Sequence, residues 1–124
     1  MSTGERTTAE TLLAAAARLR EIAARATPGP WDYDRFEEAA PWEVIAPSGD
    51  DLEDVAVCSA ENGRVEANAW WIATVHPGIA EPLAQLLEIE AATARVGFED
   101  YEDYYPATVA VARLILGEIP GAAS

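Results

Sequence analysis

The chain has 124 residues, half of them hydrophobic, and a formal net charge of −14 from 22 acidic and 8 basic side chains. This length fits one domain, and the charge disfavours nucleic acid and anionic membranes as direct partners, because binding to either needs clustered cations. The single cysteine excludes an internal disulfide framework, and no apolar run approaches the length of a membrane span. We therefore expect a cytoplasmic protein.

The first predicted element is a long N-terminal helix. After six residues that we expect to be loose, Thr7 and Glu10 have the spacing of a capping box, which satisfies free backbone amides at a helix start. The apolar residues that follow recur at helical spacing and predict one buried stripe. This stripe consists of Leu12, Ala15, Leu19, Ile22 and Ala26.

A small antiparallel sheet of two or three strands is predicted next. Two prolines and a glycine in residues 27–31 end the helix. Extended segments are predicted at Trp31–Phe36, Trp42–Ala46 and Asp54–Ser59, and the turn residues 47–51 join the last two as a hairpin. In the last segment, the alternation of Val55 and Val57 with the residues between them predicts a strand with one buried face.

Three further helices complete the prediction. They cover Val65–Val75, residues from about Ile79 to Arg95, and residues from Pro106 to about Glu118. In the second of them, we expect Leu83, Leu86, Leu87 and Ala94 to face inward. The sequence therefore predicts one α+β domain over residues 1–124, with the three helices packed on the sheet and residues 120–124 loose.

Two segments resemble a known group of proteins. Residues 26–31 read ATPGPW, and residues 67–73 read ANAWWIA and are followed by His76 and Pro77. They are similar to small phage and actinobacterial proteins, loosely grouped with Ead-like phage early proteins, in which ATPGPW precedes a β-hairpin and the motif A-N/D-A-x-[FW]-I-A. The resemblance covers roughly residues 12–90 and implies an accessory protein without an assigned activity. We expect Trp31, Trp71 and Ile72 to pack in the core.

Residues that carry enzyme chemistry are sparse. Cys58 lies in an apolar alternation and His76 precedes a proline, so we interpret both as structural rather than as a catalytic pair. Residues 50–54 lack the ligand spacing of a calcium loop, and Glu99 and Glu102 have no matching second pair of carboxylates. We therefore expect no cofactor, no metal and no enzymatic activity. A carboxylate metal-dependent hydrolase is the least favoured alternative.

Carboxylates concentrate in clusters that we predict to contact a protein partner. The leading hypothesis is a non-enzymatic, acidic, phage-type interaction protein. The alternative is an inhibitor whose carboxylates and interleaved tyrosines imitate nucleic acid and occupy the basic groove of a DNA- or RNA-binding enzyme. Solvated turns and helix starts would produce the same charge runs. The candidate partner-binding residues are Asp50, Asp51, Glu53, Asp54, Glu99, Asp100, Tyr101, Glu102, Asp103 and Tyr104.

The C-terminal helix is apolar around most of its circumference. One face holds four apolar residues, namely Val109, Ala112, Leu116 and Ile119. A helix of this kind must be buried on most sides. Either it lies centrally between the sheet and the first helix, or a second copy covers its outer face in a two-fold dimer. The candidate self-association residues are Val111, Leu114 and Ile115.

Overall fold

The computed structural model describes residues 6–35, 37, 41–48, 51–58, 64–96 and 100–118. In chain order, its elements are α1 (Thr8–Arg25), β1 (Asp32–Asp34), β2 (Trp42–Ser48), β3 (Asp51–Cys58), α2 (Val65–Thr74), α3 (Ala80–Arg95), α4 (Tyr101–Tyr104) and α5 (Pro106–Ile115). The predicted α+β class is confirmed, with a long N-terminal helix and an antiparallel sheet. In the part of the chain described, the helices fall short of the length and apolarity needed to cross a membrane.

The chain divides into two compact units. The helical unit comprises residues 1–22 and 80–124, and the sheet unit comprises residues 23–79. Each unit has its own cluster of buried side chains. The prediction placed three helices on the sheet, but only the buried residues of α2 belong to the sheet cluster, whereas those of α3 and α5 cluster with α1. The single domain over residues 1–124 stays a prediction.

The helical unit begins with the predicted capping box. The Thr7 backbone N–H donates to Glu10 Oε1 over 2.9 Å, and the Glu10 N–H donates to Thr7 Oγ1 over 3.1 Å. The bond from the Thr7 N–H, helped by the Thr7 hydroxyl, favours the charged carboxylate and lowers the pKa of Glu10. Of the predicted stripe, Leu12 and Ala15 are buried and Leu19 packs against the core. Ile22 is exposed, which corrects the prediction that the stripe continues to Ile22.

Small residues dominate the core of the helical unit. Alanine lets helix backbones approach closely, so a few larger side chains fill the space that is left. Of the four residues predicted to face inward on α3, Leu87 is buried and Leu83 and Ala94 pack against the core, whereas Leu86 is exposed, which corrects the prediction for that residue. The buried cluster comprises Ala9, Leu12, Ala15, Ala16, Ala84, Leu87, Ala91, Tyr101, Val109 and Ala112.

Helix α5 ends before the predicted position near Glu118. Gly117 adopts a φ of 83°, the left-handed region that glycine occupies readily. Its N–H donates to the Leu114 carbonyl over 3.0 Å, and the Glu118 N–H donates to the Arg113 carbonyl over 2.8 Å. This pair of bonds is a Schellman motif, which satisfies the last helical carbonyls and stops the helix.

The sheet unit contains the antiparallel sheet in the order β1-β2-β3. Strands β2 and β3 form the predicted hairpin, which pairs Trp42 with Cys58 at one end and Ser48 with Asp51 at the other. The register shifts between Val44 and Ile45, which leaves one extra residue on β3. A bulge of this kind reverses the alternation of side chains along the strand. Val57 is therefore exposed, contrary to the predicted alternation.

The resembling segments meet in a tight turn. The Trp31 indole Nε1–H donates to the Thr27 carbonyl over 2.9 Å, and Trp31 packs against the sheet core as predicted. The His76 ring lies against both Gly29 and Gly78, so a Cβ added at either glycine would collide with the imidazole. His76 Nδ1 also accepts the Gly78 N–H over 2.9 Å. Glycine is required at residues 29 and 78 because the His76 ring approaches their backbone too closely for a Cβ atom.

Candidate functional site: an exposed aromatic groove

Helix α2 has two apolar faces. Ala69 and Ala73 are buried in the sheet core, and Val65 and Ile72 pack beside them. The remaining apolar and small residues point the other way with the i, i+3, i+4, i+7 spacing of a helix stripe. They line a shallow pocket of about 320 Å³, which we call the aromatic groove and which consists of Ala67, Trp70, Trp71 and Thr74.

Both tryptophans of the groove are exposed. Trp70 retains 61% of its accessible surface and Trp71 retains 69%. This corrects the prediction that Trp71 packs in the core, although Ile72 does so. The physical reason is that the small Ala69 and Ala73 bring α2 close to the sheet, which turns the bulky rings outward. Adjacent exposed tryptophans are unusual, because large aromatic side chains are mostly buried.

A row of rings supports the groove from the sheet. The Trp70 ring stacks on Tyr33 of β1, with centroids 6.4 Å apart and planes inclined by 23°. Tyr33 in turn contacts Trp42 of β2 at 5.6 Å, and the Arg35 guanidinium lies 5.1 Å from the centroid of the Trp42 ring. Such contacts hold the rings in place before any ligand arrives. The groove is thus preorganised on one side.

The floor of the groove is mainly apolar. Thr74 is its hydroxyl-bearing residue, and the Thr74 Oγ1–H donates to the Trp70 carbonyl over 2.8 Å within the helix. Ala67 contributes a methyl group. A ligand that enters this groove therefore meets indole faces and small aliphatic groups, which favours apolar side chains over charged ones.

The first candidate acidic cluster lies at the end of the hairpin. Asp54 is exposed on β3. Asp51 and Glu53 lie on β3 by their backbone, and Asp50 and both of these side chains lie outside the described residues. The structure therefore places one of these four carboxylates at the surface and leaves the role of the cluster a prediction.

The second candidate acidic cluster is split between surface and core. Asp100, Asp103 and Tyr104 are exposed, and Glu99 lies outside the described residues. Tyr101 is fully buried, so the prediction that it belongs to a contact surface is wrong. Its hydroxyl donates to the Glu90 carboxylate, and burial, helped by this hydrogen bond, raises the pKa of Tyr101 to about 12.

Glu102 of this cluster has a partner within the chain. The Arg113 guanidinium donates two bonds to its carboxylate, over 2.7 and 2.8 Å. These bonds lower the pKa of Glu102 and raise that of Arg113. The pair ties α4 to α5, and it reduces the charge that the cluster can offer to a basic partner.

The self-association residues of α5 lie in two environments. Leu114 is 56% exposed and Val111 is also exposed, whereas Ile115 packs against the core of the helical unit. Val109 and Ala112 are buried and Leu116 packs beside them, which confirms the predicted inner face for these three residues. Ile119 lies outside the described residues.

The residues considered for catalytic and metal chemistry lie in separate settings. Cys58 is buried in the sheet core, and the His76 ring is held between two glycines. Among the side chains described, His, Cys, Asp and Glu form no group of three or more that could hold a metal ion.

Sequence reasoning missed the aromatic groove. The signal was present in the spacing of Ala67, Trp70, Trp71 and Thr74, which is that of a second helical stripe. Because α2 is apolar on most sides, its periodicity does not say which stripe faces the sheet. Comparison with protein-family models, with curated proteins and with solved structures found no match for this chain, so the resemblance to phage proteins stays a prediction.

Proposed function

We propose that this protein is a non-enzymatic binding protein that contacts a protein partner through the aromatic groove. The observation that carries the proposal is the exposure of Trp70 and Trp71 on a helix whose opposite face is packed. Exposed apolar side chains that are clustered, rather than scattered, mark interaction sites on soluble proteins.

The composition of the surface supports a protein ligand. Tryptophan, tyrosine and arginine are the residues most enriched among those that dominate binding energy at protein interfaces. Trp70, Tyr33 and Arg35 supply all three in one connected row. Because these side chains are ordered by one another, little conformational entropy is lost when a partner docks.

The net charge of the chain indicates the sign of the charge on its partner. A chain of charge −14 attracts a basic protein over long range, whereas the apolar groove supplies the short-range contact. The groove also falls within the second segment that resembles phage accessory proteins, since residues 67–73 contain Ala67, Trp70 and Trp71. A basic partner that inserts an apolar side chain between the indoles fits both features.

The test is affinity capture with the intact chain, followed by titration of each captured protein after its purification. We expect Trp71→Ala to weaken the interaction at least about thirtyfold, since a dominant interface side chain contributes about 2 kcal/mol or more. The matched control is Val57→Ala, because Val57 is an exposed apolar residue of the same unit, at 60% against 69% for Trp71, but lies outside the groove. This control should bind like the wild type.

A different pattern would overturn the proposal. If Trp71→Ala and Trp70→Ala bind normally while Asp54→Asn or Asp103→Asn lose the partner, the acidic clusters form the contact surface and the nucleic-acid-mimic hypothesis gains support. Raised salt separates the two outcomes further. An acidic contact surface loses its partner steeply with salt, whereas an apolar groove retains much of its affinity.

A further inference from the structure

A charged side chain borders the aromatic groove. Glu66 lies in the first turn of α2, four residues before Trp70, and is exposed. Residues four apart are neighbours on one face of a helix, with Cβ atoms about 5–6 Å from each other. Among the residues that the structure describes, no hydrogen bond or ion pair engages the Glu66 carboxylate. Its charge is therefore open to a ligand that enters the groove beside Trp70.

The Trp70 ring next to this carboxylate is held in place and still largely open. Tyr33 stacks on it from the sheet, yet 61% of the Trp70 surface stays accessible. The face of an indole attracts positive charge. The same row of rings already shows such a contact at its other end, where the Arg35 guanidinium lies 5.1 Å from the centroid of the Trp42 ring. Trp70 thus offers a second indole surface that suits a cation.

The charge balance of the sheet unit points to the same kind of ligand. Residues 23–79 contain eleven acidic and three basic side chains. Arg35 lies on Trp42, and Arg25 and Arg64 each interact with other groups of the chain. All three arginines belong to the described residues, and none of them pairs with Glu66. A cation for Glu66 therefore has to come from a partner.

We infer that the partner places an arginine on the Trp70 ring, where its guanidinium donates to the Glu66 carboxylate. This inference rests on the proposed function and names the basic residue that accompanies the apolar side chain in the groove. Arginine suits the site better than lysine, because a flat guanidinium stacks on an aromatic ring and donates two parallel bonds to a carboxylate. Its aliphatic stem covers apolar surface at the same time. The partner is thus a protein that exposes an apolar residue and an arginine side by side.

A purely structural role for Glu66 makes a different prediction. A carboxylate in the first turn of a helix interacts favourably with the helix dipole. That interaction stabilises α2 whether or not a ligand is bound. The test therefore has to measure how Glu66 changes the affinity for an arginine, and not only how it changes the stability of the chain.

The experiment titrates the intact, ¹⁵N-labelled chain with two short capped peptides. One contains a leucine followed by an arginine in a glycine background, and the other carries citrulline, the neutral isostere of arginine, in place of the arginine. The indole N–H signals of Trp70 and Trp71, assigned with Trp70→Phe and Trp71→Phe, report binding by NMR. We expect the arginine peptide to shift both signals with a dissociation constant of about a millimolar. The citrulline peptide should bind about three- to tenfold more weakly, because it loses the cation–π contact and the ion pair.

Two variants separate contact with Glu66 from the general charge of the chain. Glu66→Gln should weaken binding of the arginine peptide about threefold and leave binding of the citrulline peptide unchanged, since an exposed ion pair contributes little more than this. The matched control is Glu37→Gln, because Glu37 is an exposed carboxylate of the same unit that does not line the groove. It removes the same charge and should leave both affinities unchanged. Far-UV circular dichroism checks that both variants fold.

Three results would overturn the inference. Equal binding of the two peptides, with loss of both in Trp71→Ala, would leave the groove as an apolar contact surface, as the proposed function states, without the arginine. Equal weakening by Glu66→Gln and Glu37→Gln would show that net charge, rather than contact with Glu66, attracts the arginine peptide. If neither peptide shifts the two indole signals, the inference fails as well, whereas affinity capture and Trp71→Ala still decide the proposed function.

Discussion

The two units use the same acidic, half-hydrophobic composition in different ways. The helical unit packs alanines around a few larger side chains and pairs its glutamates with arginines, as Arg20 and Arg113 show. The sheet unit holds all four tryptophans of the chain, but its buried core cluster consists only of Val44, Cys58, Ala69 and Ala73, which leaves little volume to receive them.

This difference explains why the candidate site lies in the sheet unit. In this unit Ala69 and Ala73, rather than the tryptophans of α2, face the sheet, so the rings extend from the core to the surface. Trp31 is partly buried against the sheet core. Tyr33 and Trp42 are also partly buried there and their rings contact each other. Trp70 and Trp71 are exposed. Among the described aromatic side chains of the helical unit, Tyr101 is fully buried and is instead enclosed by alanine-bearing helices.

The largest expected effect tests the core of the helical unit. Leu87→Ala should lower the free energy of unfolding by about 2–5 kcal/mol, because it deletes a fully buried side chain and leaves a cavity. Leu86→Ala, one residue earlier and exposed, should change it by no more than about 0.5 kcal/mol. Urea unfolding followed by far-UV circular dichroism, at a concentration where the chain is monomeric, measures both.

The same experiment tests whether the two units unfold together. Tryptophan fluorescence reports on the sheet unit alone, because residues 31, 42, 70 and 71 all lie within it. If the chain is one cooperative domain, Leu87→Ala shifts the fluorescence transition as far as the dichroism transition. If the units unfold separately, the fluorescence midpoint stays in place. Equal destabilisation by Leu86→Ala and Leu87→Ala would contradict the assignment of buried and exposed faces on α3.

The next effect concerns the turn of the sheet unit. Gly29→Ala should destabilise the unit by about 1–3 kcal/mol, because the added methyl group collides with the His76 ring and something must shift. The His76→Ala background removes this collision. There, Gly29→Ala should cost less, and the difference between the two backgrounds measures the contact itself. Identical costs in both backgrounds would show that His76 does not limit residue 29.

Much of the fold follows from local signals in the sequence. The capping box of Thr7 and Glu10, the hairpin of β2 and β3, and the inner face of α5 are confirmed because each depends on neighbours along the chain. The errors at Val57 and Leu86 have a different origin. At Val57, a one-residue bulge exchanges the buried and exposed faces of the strand. At Leu86, the helix has apolar residues on two sides, so helical periodicity alone does not identify the buried side.

The site was harder to predict than the fold. Charge runs drew attention to the acidic clusters, yet Tyr101 of the second cluster is a core residue, because α4 turns it toward Glu90. The aromatic groove was not predicted, because tryptophan is mostly buried in folded proteins and was therefore expected in the core. Only the tertiary fact that Ala69 and Ala73 face the sheet turns Trp70 and Trp71 outward.

The smallest expected effect tests charge pairing in the helical unit by pH. Arg20 donates two bonds to Glu81, over 2.8 and 3.0 Å, and two to Glu88, both over 2.8 Å. These bonds lower the pKa of both carboxyls from the ordinary value of 4.5, which they regain in the unfolded chain. Below 4.5 the unfolded chain therefore binds protons that the folded chain still excludes. The contribution of the pairs is present above that pH and is lost as pH falls through the lowered folded pKa.

Arg20→Gln should flatten this acid dependence, measured as the urea midpoint by far-UV circular dichroism from neutral to acid pH. The matched control is Arg18→Gln on the same helix. It removes the same charge, but its contact with Glu21 spans 3.6 Å between two exposed side chains and contributes little. If both variants flatten the fall of the urea midpoint at acid pH to the same extent, this fall reflects the net charge of the chain rather than the Arg20 pairs. Flattening by Arg20→Gln alone would show that the acid stability of the helical unit depends on the specific pairs of Arg20 with Glu81 and Glu88.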